Sequence, residues 1–257
     1  MANGSRGGKR VTASIRAAAP KVTPTQVVPP TPQQVAQGNV LPTGGVAFSD
    51  FQNMSDDEKA DVITDALGVG TPLFLDDSGM QKFAYFTGMS DKPTTVTDAQ
   101  LDGMSGTELF RTVNDAYNAR TDIGYTSNDI VKQIRDGDFT MYSDSGGSAH
   151  GKAIYFANNY ADSSYYAGKN AVTMRAKITS GKTITESSLD SQYRSALRRG
   201  DKLALACSNA DHGSARNLYG LAKGYSVVSA GAYYMVLNRG ALTVSSTTKK
   251  TVYGGTW

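Results

Sequence analysis

The run Gly151–Gly168, GKAIYFANNYADSSYYAG, decides how the chain is read. Ala153–Ala157 has strand character, with Ile154 and Phe156 facing one way and Tyr155 the other. Asn158 or Asn159 then caps a short helix. On that helix Ser163 and Tyr166 are spaced to share a face, so Tyr155, Ser163 and Tyr166 converge on one cleft. Two phenol rings and a hydroxyl suit a flat heteroaromatic ring bearing an amide: the rings stack on it and the hydroxyl takes the amide. A cationic ring, such as oxidised nicotinamide, gains about 0.5–2 kcal/mol from each good aromatic face. The plainer reading of the same run is a core strand followed by a surface helix.

These residues resemble the nicotinamide-pocket motif of the ADP-ribosyltransferase superfamily, in the branch of the poly(ADP-ribose) polymerases and diphtheria toxin. Gly151, Lys152, Ile154, Tyr155, Phe156, Ala157, Ser163 and Tyr166 match that pattern in order, with Ala153 in place of a glycine and Ala161 in place of a serine. The resemblance implies NAD as substrate. Tyr155 and Tyr166 would hold its nicotinamide ring and Ser163 its amide, with Gly151 and Phe156 in the same pocket.

A second stretch, Glu108–Asp115 (ELFRTVND), reads as a buried strand that carries one cation, Arg111. A guanidinium on an inner strand needs anionic or polar company, because burying it unpaired costs several kcal/mol. Its fork suits a phosphate or a carboxylate; a local bridge to Glu108 or Asp115 would also satisfy it. Arg111 followed by Thr112 resembles the first-strand motif of the arginine-type toxins, which implies that Arg111 anchors the ribose–phosphate side of NAD with Thr112 beside it. The third stretch, LAKGYSVVSAGAYYMVLNRGALTV, resembles the last strands of the superfamily, so the likeness spans about residues 105–246 with its three motifs in order. Here Tyr233 stands where the family places its catalytic glutamate, and no acidic residue lies within Gly224–Leu242. Losing one preorganised electrostatic contact of that kind costs about 10²–10³ in rate. Asp144, Asp162 and Asp211 are the carboxylates considered as substitutes from elsewhere in the chain.

Composition bounds the rest. A chain of 257 residues holds one sizeable core and an appendage. One cysteine, Cys207, excludes an intrachain disulfide framework and any multi-cysteine zinc site. His150 and His212 read as solvated loop residues and form no metal constellation with Cys207. No apolar run approaches the ~18 residues of a membrane span, and no signal peptide is expected. The loop SDSGGSAH (Ser143–His150) lacks Rossmann or P-loop spacing.

Residues 1–45 differ in kind: rich in Gly, Ala, Thr, Pro and Gln, with Arg6, Lys9, Arg10, Arg16 and Lys21 and no acid. This arm carries +5, and the remainder, with 21 basic and 23 acidic residues, carries −2. Such a segment does not fold alone. It is read as a solvated tail, or as a tether that lies on nucleic acid or threads across a neighbouring subunit.

Residues 46–104 read as a helical subdomain, with Ser49 or Ser55 capping DDEKADVITDAL and short helices over Asp76–Gly88 and Thr97–Met104. Residues 105–257 alternate strands and helices without regular βαβ spacing: an α+β fold, with the split β-sheet core that the resemblance implies. Two functions are therefore expected. One is an NAD-binding ADP-ribosyltransferase-like enzyme acting on a protein or nucleic-acid acceptor. The other is a catalytically degenerate structural protein of a phage virion, joined through residues 1–45 to virion proteins or nucleic acid. The expected location is accordingly the virion or the host cytoplasm.

Overall fold

The structure, a computed structural model, describes residues 48–68, 80–81, 92–118, 123–136, 141–142, 153–210 and 214–256. The basic arm, Asp144, His150, Gly151, Lys152, Asp211 and His212 lie outside them.

Two helices come first, α1 (Phe48–Asn53) and α2 (Asp56–Gly68). Ser55 caps α2: its Oγ accepts from the Glu58 amide at 3.3 Å while Glu58 accepts from the Ser55 amide at 2.8 Å. Next come β1 (Met80–Gln81), β2 (Thr94–Val96), α3 (Asp98–Asp102), β3 (Thr107–Val113), β4 (Ala116–Asn118), β5 (Ile123–Tyr125), α4 (Ser127–Arg135) and β6 (Met141–Tyr142). The pocket motif supplies β7 (Ile154–Ala157) and α5 (Tyr160–Ser164), capped by the Asn159 side chain. The chain continues through β8 (Val172–Ile178), β9 (Lys182–Thr185), α6 (Glu186–Arg198), α7 (Lys202–Cys207) and α8 (Ser214–Ala222). It closes with β10 (Tyr225–Ala230), β11 (Tyr233–Val236) and β12 (Leu242–Lys250).

Eight of these strands form one sheet in the order β2-β12-β8-β3-β7-β11-β10-β9. Its two edge pairs, β2–β12 and β9–β10, are parallel; the inner pairs are antiparallel. The fold is α+β, as expected. The section expected to be helical is not wholly so. Met80–Gln81 pairs with β6, and Thr94–Val96, a β-branched run just after Pro93, is the edge strand of the main sheet.

The middle of the sheet positions the candidate site. β3 pairs with β8 over seven residues, Thr107–Val113, but meets β7 at a single bridge, Phe110↔Ala157. The joint between β3 and β7 is therefore the most sparsely paired of the sheet, a seam between its β2–β3 side and its β7–β9 side. Partners across an antiparallel pair share a face. Leu109, Val113, Met174, Ile154 and Phe156 lie on one side and are buried in the core. Burial of each large side chain there contributes about 1.5–3 kcal/mol. The opposite face of the β7–β9 half, with Tyr155, Met235, Val228 and Ile184 in one row, is covered by α6 and α8. Gly220 lets these two helices approach: a Cβ there would lie 2.9 Å from Leu189 Cδ2. Among the described residues no helix is long and apolar enough to cross a membrane.

Candidate functional site

Arg111 leaves β3 opposite Phe156, on the far face from the Tyr155 ring, because Phe110 is paired with Ala157. Beyond that bridge the strands separate and the guanidinium turns into the gap. Its Nη1 donates to the Tyr155 carbonyl at 2.6 Å. That carbonyl lies where the β3–β7 ladder has ended, so Arg111 satisfies a main-chain acceptor that the sparse pairing would leave short of partners. Neither suggested local carboxylate has this role: Glu108 takes Arg175, and Asp115 takes the Asn170 side chain and the Ser127 amide.

Tyr155 is half-buried beneath α8. Burial pushes its phenol up to about 12, with Arg216, Glu186 and Arg111 as the charges it feels. Arg216 and Glu186 form an ion pair at 2.7 Å, with only 14% and 24% of their side chains exposed. Asn217 links this pair to the sheet: its Oδ1 accepts from Arg216 Nε at 3.4 Å, and its Nδ2 lies 3.8 Å from the sulfur of Met235, the cross-strand partner of Tyr155. Glu186 and Arg216 were missed in the sequence. Glu186 reaches this place because β9 lies parallel to β10, with Thr185 beside Ser229 and so at the level of Tyr234. No local signal in ESSLDSQYR announces that long-range pairing.

Tyr166 and Tyr233 meet nearer the surface. Their rings pack edge to face, with centroids 6.5 Å apart at 76°, and the Tyr166 hydroxyl donates to that of Tyr233 at 3.4 Å. The bond to Tyr233 and then partial burial push the Tyr166 phenol up to about 12. Tyr233 shares its face of the sheet with Tyr155, two positions along from Met235. Tyr155, Tyr166 and Tyr233 thus lie on one face of the sheet, whereas Arg111 leaves β3 on the other and meets the Tyr155 main chain rather than its ring. Contrary to the expectation, the guanidinium and the phenols do not line one cleft.

Other expected members are placed differently. Ser163 and Tyr166 do not share a helix face: α5 ends at Ser164, so Ser163 is buried while Tyr166 stands 56% exposed on the turn beyond. Ser163 Oγ bonds Thr112 Oγ1 at 2.8 Å, and Thr112 in turn bonds Thr173 at 2.6 Å and Thr173 bonds Thr251 at 2.7 Å. Thr112 and Ser163 therefore tie α5 to the sheet. Phe156 is 1% exposed in the core and presents no open face to a ligand. Of the substitute carboxylates, Asp162 is the one described; it accepts from Asn159 Nδ2 at 2.7 Å and is among the charges acting on Tyr166. Among the described residues no group of His, Cys, Asp or Glu is placed to hold a metal.

No protein-family model matches the chain, and no curated protein or solved structure matches it.

Proposed function

We propose that this chain is an ADP-ribosyltransferase-like protein that binds NAD at the seam between the two sides of its sheet, with the nicotinamide against Tyr155 and Tyr166. The observation that carries the reading is the Tyr166–Tyr233 pair on the same face of the sheet as Tyr155, with Arg111 bonded to the Tyr155 carbonyl at the adjoining seam. Tyr166 offers a half-exposed ring face, and Arg111 brings a fixed cation toward a dinucleotide's phosphates. In transfer, the bond from ribose C1′ to nicotinamide breaks and the leaving base keeps the electron pair. The acceptor's nucleophile then bonds C1′ and gives up its proton. Developing positive charge on the sugar calls for an anion, and Tyr233 supplies a hydroxyl in place of a carboxylate. Binding is accordingly the stronger activity, and transfer is slow.

A second reading is favoured by the internal satisfaction of the site. Ser163 is already bonded to Thr112, and Tyr166 to Tyr233, as in a scaffold that has given up catalysis for a structural role in a virion. Titration calorimetry with NAD separates the two. The first reading expects heat from the wild type, an affinity reduced on the order of tenfold in Tyr166→Ala, and faster nicotinamide release in Tyr233→Glu. No heat from the wild type leaves the structural reading. Heat unchanged in Tyr166→Ala means that the dinucleotide lies elsewhere.

A further inference from the structure

Six large apolar or aromatic side chains are exposed among the described residues, and four of them stand together: Tyr165 and Tyr166 at 56%, Val252 at 66% and Tyr253 at 70%. Tyr165 and Tyr253 touch edge to face, with centroids 5.4 Å apart at 72°. They sit on two turns, one just after α5 and one at the end of the described chain, and both turns are held firmly. Thr251 binds the Ala171 carbonyl through its amide at 2.9 Å and Thr173 through its hydroxyl at 2.7 Å; Gly255 closes the second turn on Val252 at 3.0 Å. Beside them the ammonium of Lys249 lies 5.9 Å from the centre of the Tyr160 ring. Of the nearby lysines, Lys249 pairs with Thr173 and so shares the face of Thr112 and Ser163, whereas Lys250 pairs with Val172 and leaves the other face, and Lys169 lies by the Asp115 carboxylate.

We propose that this platform binds single-stranded nucleic acid, with unpaired bases stacked on Tyr165 and Tyr253 and the phosphates beside Lys249. Exposed ring faces that stand proud of the surface, fixed in place and with the Lys249 ammonium beside them, suit splayed bases joined by an anionic backbone. An apolar protein anchor would need a pocket instead, and a neutral sugar would make no use of the charge. The proposal does not depend on NAD binding: Tyr165 and Tyr253 lie outside the Tyr166–Tyr233 pair.

The test is fluorescence anisotropy of labelled oligo(dT) and oligo(U) with the full chain, across a salt series. Wild type binds both. The double variant Tyr165→Ala/Tyr253→Ala loses on the order of tenfold in affinity for each ring, while Tyr253→Phe, which keeps the ring, binds as wild type. Lys249→Gln lowers the slope of log affinity against log salt by about 0.7. Both tyrosines are exposed, so an unchanged thermal melt certifies the fold of the variants. Absence of binding by wild type overturns the proposal. So does binding that survives the double variant, which assigns it to the basic residues Arg6–Lys21, and so does a duplex that competes as well as the single strand. Self-association of the chain that disappears in the double variant, with no oligonucleotide bound, assigns the patch to a second copy and overturns it too.

Discussion

At the scale of single residues, the hydroxyl chain Ser163–Thr112–Thr173–Thr251 shows how a polar group placed in a pocket by motif alone becomes part of the framework. Each hydroxyl is buried and each has a neighbour, so removing one strands the next. Thr112→Val keeps the shape of the side chain and takes away the central link. We expect a loss of about 1–3 kcal/mol, read as a lower urea midpoint with unchanged slope. Arg111→Gln is expected to cost about 1–3 kcal/mol in the same assay without any ligand, because the guanidinium holds the Tyr155 carbonyl where the strands diverge. A variant as stable as wild type would show that the guanidinium does not brace the seam.

At the scale of elements, the sequence was most legible where local signals were concentrated. The strand with Arg111 was readable from an apolar run around a single cation, and the helix after Ser55 from its cap and the apolar residues behind it. β2 and β9, of three and four residues, are too short to carry a period and were not read. α5 misled in another way: helical spacing was extended to Tyr166, past the helix end, and placed a buried and an exposed residue on one face. Two joints of the fold give sharp tests. The turn before β9 contains Gly181 at φ 75°, where a Cβ would fall 2.5 Å from Ser226 Oγ. Gly181→Ala is therefore expected to destabilise by more than about 1 kcal/mol, measured by thermal melting. Arg239, 1% exposed, donates from Nη1 to the Gln133 and Ile134 carbonyls at 2.8 and 2.9 Å. It places a cation on the negative end of α4. Arg239→Met removes that cap and leaves buried carbonyls behind, a loss on the order of 3 kcal/mol.

At the scale of the whole molecule, alkaline pH probes the packing of the tyrosines. Burial pushes Tyr155 and Tyr193 up to about 12, and the bond to Tyr233 does the same for Tyr166. In the unfolded chain a phenol titrates near 10. Between about pH 10 and 12 the unfolded chain has released protons that the folded one keeps, so stability falls as pH rises through this window. Below about pH 10 these groups leave stability flat. Urea midpoints at intervals from pH 9 to 12 check the sign, and Tyr155→Phe should flatten part of the fall. Equal slopes in wild type and variant would mean that Tyr155 is not the buried phenol described here.

The alternation of Ile154, Tyr155 and Phe156, the cap at Asn159 and the buried strand around Arg111 followed from the amino-acid order, because each is set by neighbours within a few residues. So did the α+β class and the compositional break near residue 45. Which side each group faces, and what it meets there, was decided elsewhere. Tertiary pairing left the sheet sparsely bridged beside β7, gave Arg111 a main-chain carbonyl for its partner, turned Ser163 inward and carried Glu186 and Arg216 to Tyr155. The physical reason is range: a strand's two faces are written in its own residues, whereas the partner across a seam comes from chain more than forty residues away, as Arg111 and Tyr155 show.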